Sequence, residues 1–319
     1  MNSKSTDLPA LLIAYNRPEK TSRALDSIWA SGIRELYISI DGPKNNQQDR
    51  LLTNQVLKVI QENNSRFETL KLQIGKENLG CKRGCLQALN WFFSQVDFGI
   101  IVEDDVEVST SFVEFVSSIS RLKDDSIWHV NGWSLFDVRN NQDEYVSTSY
   151  GHVWGWATWA KKWEKIKVEK SEIDQNLIRT PHLFGIWHSI DEWTDTWDYF
   201  WLLSIEASQG RIVSPQNRLT TNFGFDSQAT HKRLKSWKQD RYPIKVEFKV
   251  RPKHEPNLIL DQLFETLYLR DFRGFSILSI YSSLKFRSFC YLIGKIVLFF
   301  SYEKIVGVYL KVKSLLFPS

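Results

Sequence analysis

Glu103, Asp104 and Asp105 stand in a row at the end of an apolar run, Phe98-Gly99-Ile100-Ile101-Val102. Three carboxylates this close repel one another unless a cation or a hydrogen-bonding ligand sits among them. An apolar run of this length reads as a buried strand, and open α/β sheets bind ligands at the carboxyl ends of their strands. The triplet is therefore placed to hold a metal-bound, phosphate-bearing ligand. Oxygen donors suit a hard divalent ion, Mn²⁺ or Mg²⁺. A plainer explanation exists. Ser111-Phe112-Val113-Glu114 fits a capping box, and acids ahead of a helix are favoured by its dipole. Asp104 and Asp105 lie well before that cap, however, so capping accounts for them poorly.

Other chemically able side chains fall at similar positions. Arg17 follows the apolar run Leu8–Tyr15, and Asp41 follows Leu36–Ile40. Further on, Trp193, Trp197 and Trp201 recur at i, i+4 and i+8, a helical stripe that core packing explains. Asp198 borders the stripe, and a carboxylate beside an aromatic wall can serve as a base. The polar stretch 222–231 ends at His231, where a structural histidine and a ligand are both open readings.

The elements that would position these groups alternate. Leu8–Tyr15 reads as a strand, and Pro18 suits the first position of a helix whose apolar face is Ala24, Leu25, Ile28 and Trp29. Gly32 ends that helix. A strand over 36–40, a helix over 47–63, a strand over 69–74, a helix over about 80–95 and the strand Phe98–Val102 follow. This alternation predicts an α/β fold with a mostly parallel, buried sheet flanked by helices. Neither a GxGxxG nor a GxxxxGK[ST] motif follows the first strand, which argues against an ordinary dinucleotide-binding fold and against a P-loop NTPase.

Composition narrows the class. The 319 residues carry 42% hydrophobic and 24% charged side chains, ordinary for a domain with a sizeable core. A net charge of +4 gives no reason to expect a nucleic-acid partner. The 13 tryptophans supply buried area, and also faces on which sugar rings stack. Cys81, Cys85 and Cys290 show no disulfide or zinc-ligand spacing, which suits reduced thiols in the cytosol. The N-terminal MNSKSTDLPA has no apolar core, so neither a signal peptide nor an N-terminal anchor is expected. From about Phe275 the chain is apolar but studded with Lys285, Arg287, Lys295, Lys304, Lys311 and Lys313. Phe289–Tyr302 is short of a ~20-residue span. An amphipathic helical segment lying on the inner face of the membrane is expected, the alternative being a helical pair packed on the domain.

Taken in order, these pieces resemble glycosyltransferases of the GT-A fold. The likeness is to the N-acetylglucosaminyltransferase I type and to bacterial polysaccharide-related, family 2-like enzymes, and it spans roughly residues 8–235. Ala14-Tyr15-Asn16-Arg17-Pro18 resembles that family's first nucleotide-binding turn. Ser39-Ile40-Asp41-Gly42 resembles the segment whose Asp holds uracil, and Glu77-Asn78-Leu79-Gly80 with Arg83 resembles a donor-contacting stretch. Ile101–Val108 is similar to the family's EDD form of the DXD motif, and His152–Trp159 to a block of the bacterial relatives. Pro215 through His231 resembles the stretch that closes the active site.

The resemblance implies a metal-dependent, inverting transfer from a nucleotide-sugar, with UDP as the expected nucleotide. Asp105 would contact the metal, with His231 completing its shell or bonding a phosphate. Glu103, Asp104, Arg17, Asp41 and Arg83 would contact the donor. Trp154, Trp156 and Trp133 would stack on sugar rings or pack in the core. The animal enzymes carry an anchor and two adjacent acids between tryptophans. This chain keeps one acid, Asp198, the inferred base, and Asp195 is a second candidate. The acceptor would be a saccharide or lipid-linked saccharide in cell-surface polysaccharide assembly. A transferase domain over 1–250 is expected, with a nucleotide-binding half at about 1–108 and an acceptor half at 109–250, followed by the helical segment 251–319. A sugar nucleotidyltransferase or a non-catalytic carbohydrate-binding protein are the competing classes. The former would carry a glycine-rich basic loop where this chain has Asn16-Arg17-Pro18.

Overall fold

The computed structural model describes residues 6–133, 145–148, 151–190, 195–215 and 217–224. All of them lie in the first of the chain's two compact units, Met1–Asp261. Trp193, His231, Cys290 and the basic segment from Phe275 fall outside the described residues.

The first strand, β1 (Ala10–Ala14), is apolar throughout and almost wholly buried. Helix α1 (Pro18–Ala30) starts with Pro18, whose missing N–H would have no intrahelical partner at that position anyway. It buries Thr21, Ala24, Leu25 and Ile28, one face at i, i+3, i+4 and i+7, and ends before Gly32 at φ 97°. Strand β2 (Glu35–Ile40) follows. Helix α2 (Gln47–Asn63) is capped by Asn46, whose side chain accepts from the Asp49 N–H at 2.8 Å. Strand β3 (Thr69–Ile74), helix α3 (Gly80–Phe93) and strand β4 (Phe98–Glu103) complete the first half. Gly99 is where α3 packs on β4: a Cβ there would sit 2.3 Å from Phe92 Cζ.

After β4 come β5 (Val106–Val108), α4 (Thr110–Ser120), β6 (Ile127–Asn131), β7 (Tyr145–Thr148) and β8 (Trp156–Trp159). The short α5 (Ala160–Trp163), then α6 (Pro181–Ser189), α7 (Asp198–Ala207), β9 (Arg211–Pro215) and β10 (Thr220–Asn222) follow. Helix α4 begins two residues before the capping box expected at Ser111. Its N-cap is Ser109, which accepts from the Phe112 N–H, and Ser111 is buried in the first turn. Ser109 also donates to Leu219 O at 2.7 Å, a long-range bond invisible to a local motif.

Eight strands form one sheet in the order β3-β2-β1-β4-β8-β6-β9-β7, while β5 and β10 pair separately. Strands β3, β2, β1 and β4 are mutually parallel, and β6 is parallel to β9. β8 and β7 run the other way. The sheet is thus mostly parallel with two reversed strands, and it is continuous across the boundary expected at residue 108. From β1 the chain crosses to β2 and β3 on one side, while β4 pairs on the other. The crevice at the carboxyl ends of β1 and β4 is therefore the switch point at which such sheets bind ligands.

Of the tryptophan stripe, Trp197, at the N-cap of α7, and Trp201 belong to the core. Trp197 and Trp201 are buried and pack with Trp156 at 5.8 Å each and with Trp163 at 6.1 and 5.4 Å. Burying such a ring contributes roughly 1.5–3 kcal/mol or more. Trp133 is buried as well. Two of the three candidate sugar platforms, Trp133 and Trp156, are therefore core residues.

Candidate active site at the β1/β4 crevice

Glu103 is the last residue of β4, Asp104 and Asp105 form a two-residue turn, and Val106 opens β5. Register fixes this turn beside the end of β1, because Ile13 pairs with Glu103. Arg17 crosses from the β1 turn. Its Nη1 lies 3.4 Å from Asp104 Oδ1 and 3.0 Å from Asp105 Oδ2. The rest of that turn is tied elsewhere. The Tyr15 hydroxyl and Asn16 Nδ2 each donate to Asp49 at 2.5 Å, as does the Lys44 N–H. Asp49 is a site-organising residue that sequence reasoning missed, although its place three residues after the capping Asn46 marks it as bound into a helix start.

One cation does not satisfy the triplet. Asp105 Oδ1 is buried and has no hydrogen-bond partner. Burial, then repulsion from Asp105, pushes the Asp104 carboxyl up to about 7, against the opposing charges of Arg17 and Lys20. Burial raises Asp105 too, and Glu103 lies well above the carboxylate range through burial and the charges of Asp105, Cys81, Asp198 and Asp104. The turn is roofed by β10. Asn222 pairs with Val106, the Phe223 N–H donates to Asp105 O at 2.8 Å, and a Cβ on Gly224 would lie 2.2 Å from Asp105 Oδ2.

The opposite wall is made of helix starts. Cys81 in the first turn of α3 and Asp198 at the first position of α7 both act electrostatically on Glu103. The Thr196 hydroxyl donates to Asp198. Asp195, the alternative base, has other work. It is exposed, and it accepts the Cys81 and Lys82 N–H groups at 3.4 and 3.0 Å, capping α3 from a distant loop.

Asp41 does similar work. It accepts from the N–H groups of Gly42 (2.9 Å), Leu79 (3.0 Å) and Gly80 (3.2 Å), and from Asn78 Nδ2 (2.9 Å). The residue expected at the nucleotide base is thus, in the structure, the anchor of the turn at 78–80. Burial raises its carboxyl, and the backbone bonds pull the other way. Arg83 is exposed on the face of α3 opposite the buried one. It shares an open groove with Gln73, Leu79, Leu86, Gln87, Asn90 and Trp91, a set that includes no member of the triplet. That is the expected donor contact the structure does not bring to the crevice.

Trp154 is half-buried, stacked on His152 at 4.9 Å and edge-on to Trp133 at 5.0 Å. Its carbonyl accepts from the Thr220 hydroxyl at 2.7 Å, which ties this aromatic corner to β10 and through it to the acidic turn. Gly155, at φ 78°, is required here, because a Cβ would lie 2.7 Å from Thr220 Cγ2.

Among the described residues, no group of three or more His, Cys, Asp or Glu side chains is arranged to hold a metal by itself. The fit is to an ion that brings its own ligands. Mg²⁺ and similar ions are commonly held by one or two carboxylates plus substrate phosphates. The unpartnered Asp105 Oδ1 is such a carboxylate oxygen.

No family model and no curated protein matches the chain. Solved structures give distant likenesses. One is a protein described as a glucose-1-phosphate thymidylyltransferase from Bacillus anthracis, in complex with sucrose, at 11% identity and TM-score 0.34, covering 50% of this chain and 74% of that one. Another is HddC from Yersinia pseudotuberculosis, at 10% identity and TM-score 0.30, covering 48% and 77%. HddC complexed with GMP-PN gives 10% identity and 0.31 over the same shares. At these scores the likenesses carry no argument, and the reading below rests on the site.

Proposed function

We propose that the protein uses a nucleotide-sugar at a carboxylate-held divalent ion, and that it is a GT-A glycosyltransferase acting with inversion. The observation that carries this reading is the buried, unpartnered Asp105 Oδ1 at the β1/β4 crevice, with Asp198 facing the same acidic turn from α7. Asp105 and Asp104 would hold Mn²⁺ or Mg²⁺ on the donor diphosphate. The ion supplies charge neutralisation for the departing nucleoside diphosphate. Arg17 adds a second positive charge at the same place and orients the two aspartates. Glu103, whose carboxyl is raised by burial and by the charges of Asp105, Cys81, Asp198 and Asp104, would contact a donor-sugar hydroxyl. Asp198 accepts the proton of the attacking hydroxyl, and the helix starts of α3 and α7 favour the anionic ligand. Trp154, half-buried and tied to β10 through Thr220, would offer an aromatic face to a sugar ring. The segment from Phe275 would hold the enzyme at an anionic membrane surface, where a lipid-linked acceptor is found.

Sugar nucleotidyl transfer needs the same carboxylates and ion. Two features favour glycosyl transfer: Asp198 at the start of α7, which acts electrostatically on Glu103, and Asn16-Arg17-Pro18 where a glycine-rich basic loop would otherwise cradle a triphosphate. The test is a thermal-shift panel of UDP-, GDP-, CMP- and dTDP-sugars with Mn²⁺ or with EDTA, followed by product analysis. A ligand at ~100 times its dissociation constant stabilises by about 2.7 kcal/mol. Stabilisation by one nucleotide class that disappears in EDTA, with nucleoside diphosphate as product, is expected. Pyrophosphate as product would assign nucleotidyl transfer. No stabilisation by any donor would remove both readings.

A further inference from the structure

We infer that β3, at one edge of the large sheet, pairs antiparallel with the β3 of a second copy of this chain, about a twofold axis at Leu72. Among the described residues β3 (Thr69–Ile74) is hydrogen-bonded to β2 alone, so its other side presents a row of backbone N–H and C=O groups to a further strand. Leu72 and Ile74 are 41% and 50% exposed at this edge, although both are large and apolar. Leu70, on the same face, packs against the core. Such an edge is commonly kept apart from others by a charged side chain projecting past it. Lys71 is turned the other way. Its ammonium lies 4.9 Å from the centre of the Tyr37 ring on β2 and donates to the Tyr37 hydroxyl at 3.2 Å, so it is folded back over its own sheet.

The backbone decides which residues pair. The Gly75 N–H donates to Ile40 O at 2.8 Å and the Thr69 N–H to Arg34 O at 3.2 Å. Backbone groups alternate sides along a strand, so the odd-numbered residues of β3 face β2, and Leu70, Leu72 and Ile74 face outward. An antiparallel pair exchanges its hydrogen bonds between outward-facing residues. One register pairs all three with one another: Leu72 opposite Leu72, and Leu70 opposite Ile74 on each side of the axis. A shift toward the start of the strand would need Glu68, whose N–H is already bonded to Arg34 O at 3.0 Å.

The side chains agree with that register. Lys71 falls opposite Gln73, whereas a register with Lys71 on the axis would set two lysines face to face. Glu68 and Lys76, both exposed, fall opposite each other, and the twofold axis makes that charge pair twice. The patch is thus complementary to itself, as an isologous contact requires. Leu72 and Ile74 lose their exposure against the apolar side chains of the second copy. The sheet becomes continuous through both chains, and because the pairing is antiparallel the two β1/β4 crevices open at opposite ends of it. One strand edge is a small contact, so the association depends on concentration and is not permanent. None of this rests on the function proposed above.

The experiment is sedimentation velocity of the full chain over a micromolar concentration series. The average mass should rise from that of one chain toward that of two. Leu72→Lys sets two like charges on the axis and should leave a monomer at every concentration, with Tm unchanged because Leu72 is exposed. Glu68→Lys alone, or Lys76→Glu alone, should weaken association about 2–30-fold, since each alters two cross-strand charge pairs. The double variant Glu68→Lys with Lys76→Glu should restore it. A wild-type chain that stays monomeric throughout, or a dimer that survives Leu72→Lys, would overturn the pairing. Undiminished association in both single charge variants, or no recovery in the double variant, would overturn the register.

Discussion

Asp195 and Asp198 lie three residues apart, and the structure gives them different work, which a pair of substitutions can separate. Asp195 is an exposed cap on the first turn of α3, holding two N–H groups at 3.0 and 3.4 Å. Removing a cap costs about 1 kcal/mol, and the charge beside a helix start adds about 0.3–1. Solvent screening at this exposed position favours the low end. Asp195→Ala should thus lose about 1 kcal/mol and ~2–4 °C in Tm, with transfer reduced only as far as α3 loosens. Asp198→Asn should behave oppositely. Replacing one of the charges acting on Glu103 and Cys81 leaves Tm unchanged or raises it. Loss of the base lowers kcat ~10²–10⁴-fold, about 3–5.5 kcal/mol on the barrier, with donor affinity kept. Scanning calorimetry and release of nucleoside diphosphate read the two effects separately. Wild-type kcat in Asp198→Asn, together with lost transfer at unchanged Tm in Asp195→Ala, would refute the assignment.

Other substitutions report on other parts of the molecule. Asp105→Asn should raise the Tm of the ligand-free protein, since it relieves repulsion on Asp104, and should abolish the divalent-dependent shift with donor; an undiminished shift would place the ion elsewhere. His129 is fully buried, with Nε2 2.7 Å from Asn131 Oδ1 and Nδ1 accepting from Trp201 Nε1 at 3.0 Å. Burial lowers its pKa to about 4, so its contribution to stability is present above the ordinary value of 6.5 and is lost as pH falls from 6.5 to 4, up to about 3 kcal/mol. Ring-nitrogen NMR should show a neutral imidazole with its proton on Nε2 at pH 5, and an imidazolium signal at pH 6 would contradict this. Gly99→Ala drives a Cβ into the Phe92 ring and should destabilise by about 1–3 kcal/mol, a forecast that an unaltered denaturation midpoint would refute.

The first hundred residues were legible because each apolar run there is punctuated by local chemistry. Pro18, Gly32, Asn46 and Asp41-Gly42 stop or start elements where they fall, and the strands and helices between them lie within a few residues of expectation. Strand direction is a different matter. Alternation and apolarity do not distinguish a parallel from an antiparallel neighbour, so the reversed β8 and β7 had no local signature. The same limit applies to the start of α4, set by Ser109 through its bond to Leu219, and to the carboxylates. Asp41 reads in sequence as a nucleotide contact and Asp195 as a second candidate base, and the sequence does not show that both accept backbone N–H groups from a distant segment. The crowding of Asp104 and Asp105 was legible because they adjoin each other and Glu103 in sequence, while Arg17 and β10, which complete their surroundings, come from far along the chain. The side on which Arg83 lies was not legible either, because a residue on a helix start can face either way, and this one faces out.

Strand β10 roofs the acidic turn, and its distance along the chain gives folding an order. Val106–Val108 is synthesised long before Thr220–Asn222, the strand it pairs with. Until that late strand docks, the carboxylates of the turn remain hydrated and their mutual repulsion is screened. Non-local closures of this kind form late, after the entropy of the intervening loop has been overcome. The closing step is then also the step that strips water from three neighbouring carboxyl groups. It carries an electrostatic barrier that a counter-ion lowers, so on the proposed function a divalent cation would act first as an assembly factor for the pocket and only afterwards as part of its chemistry.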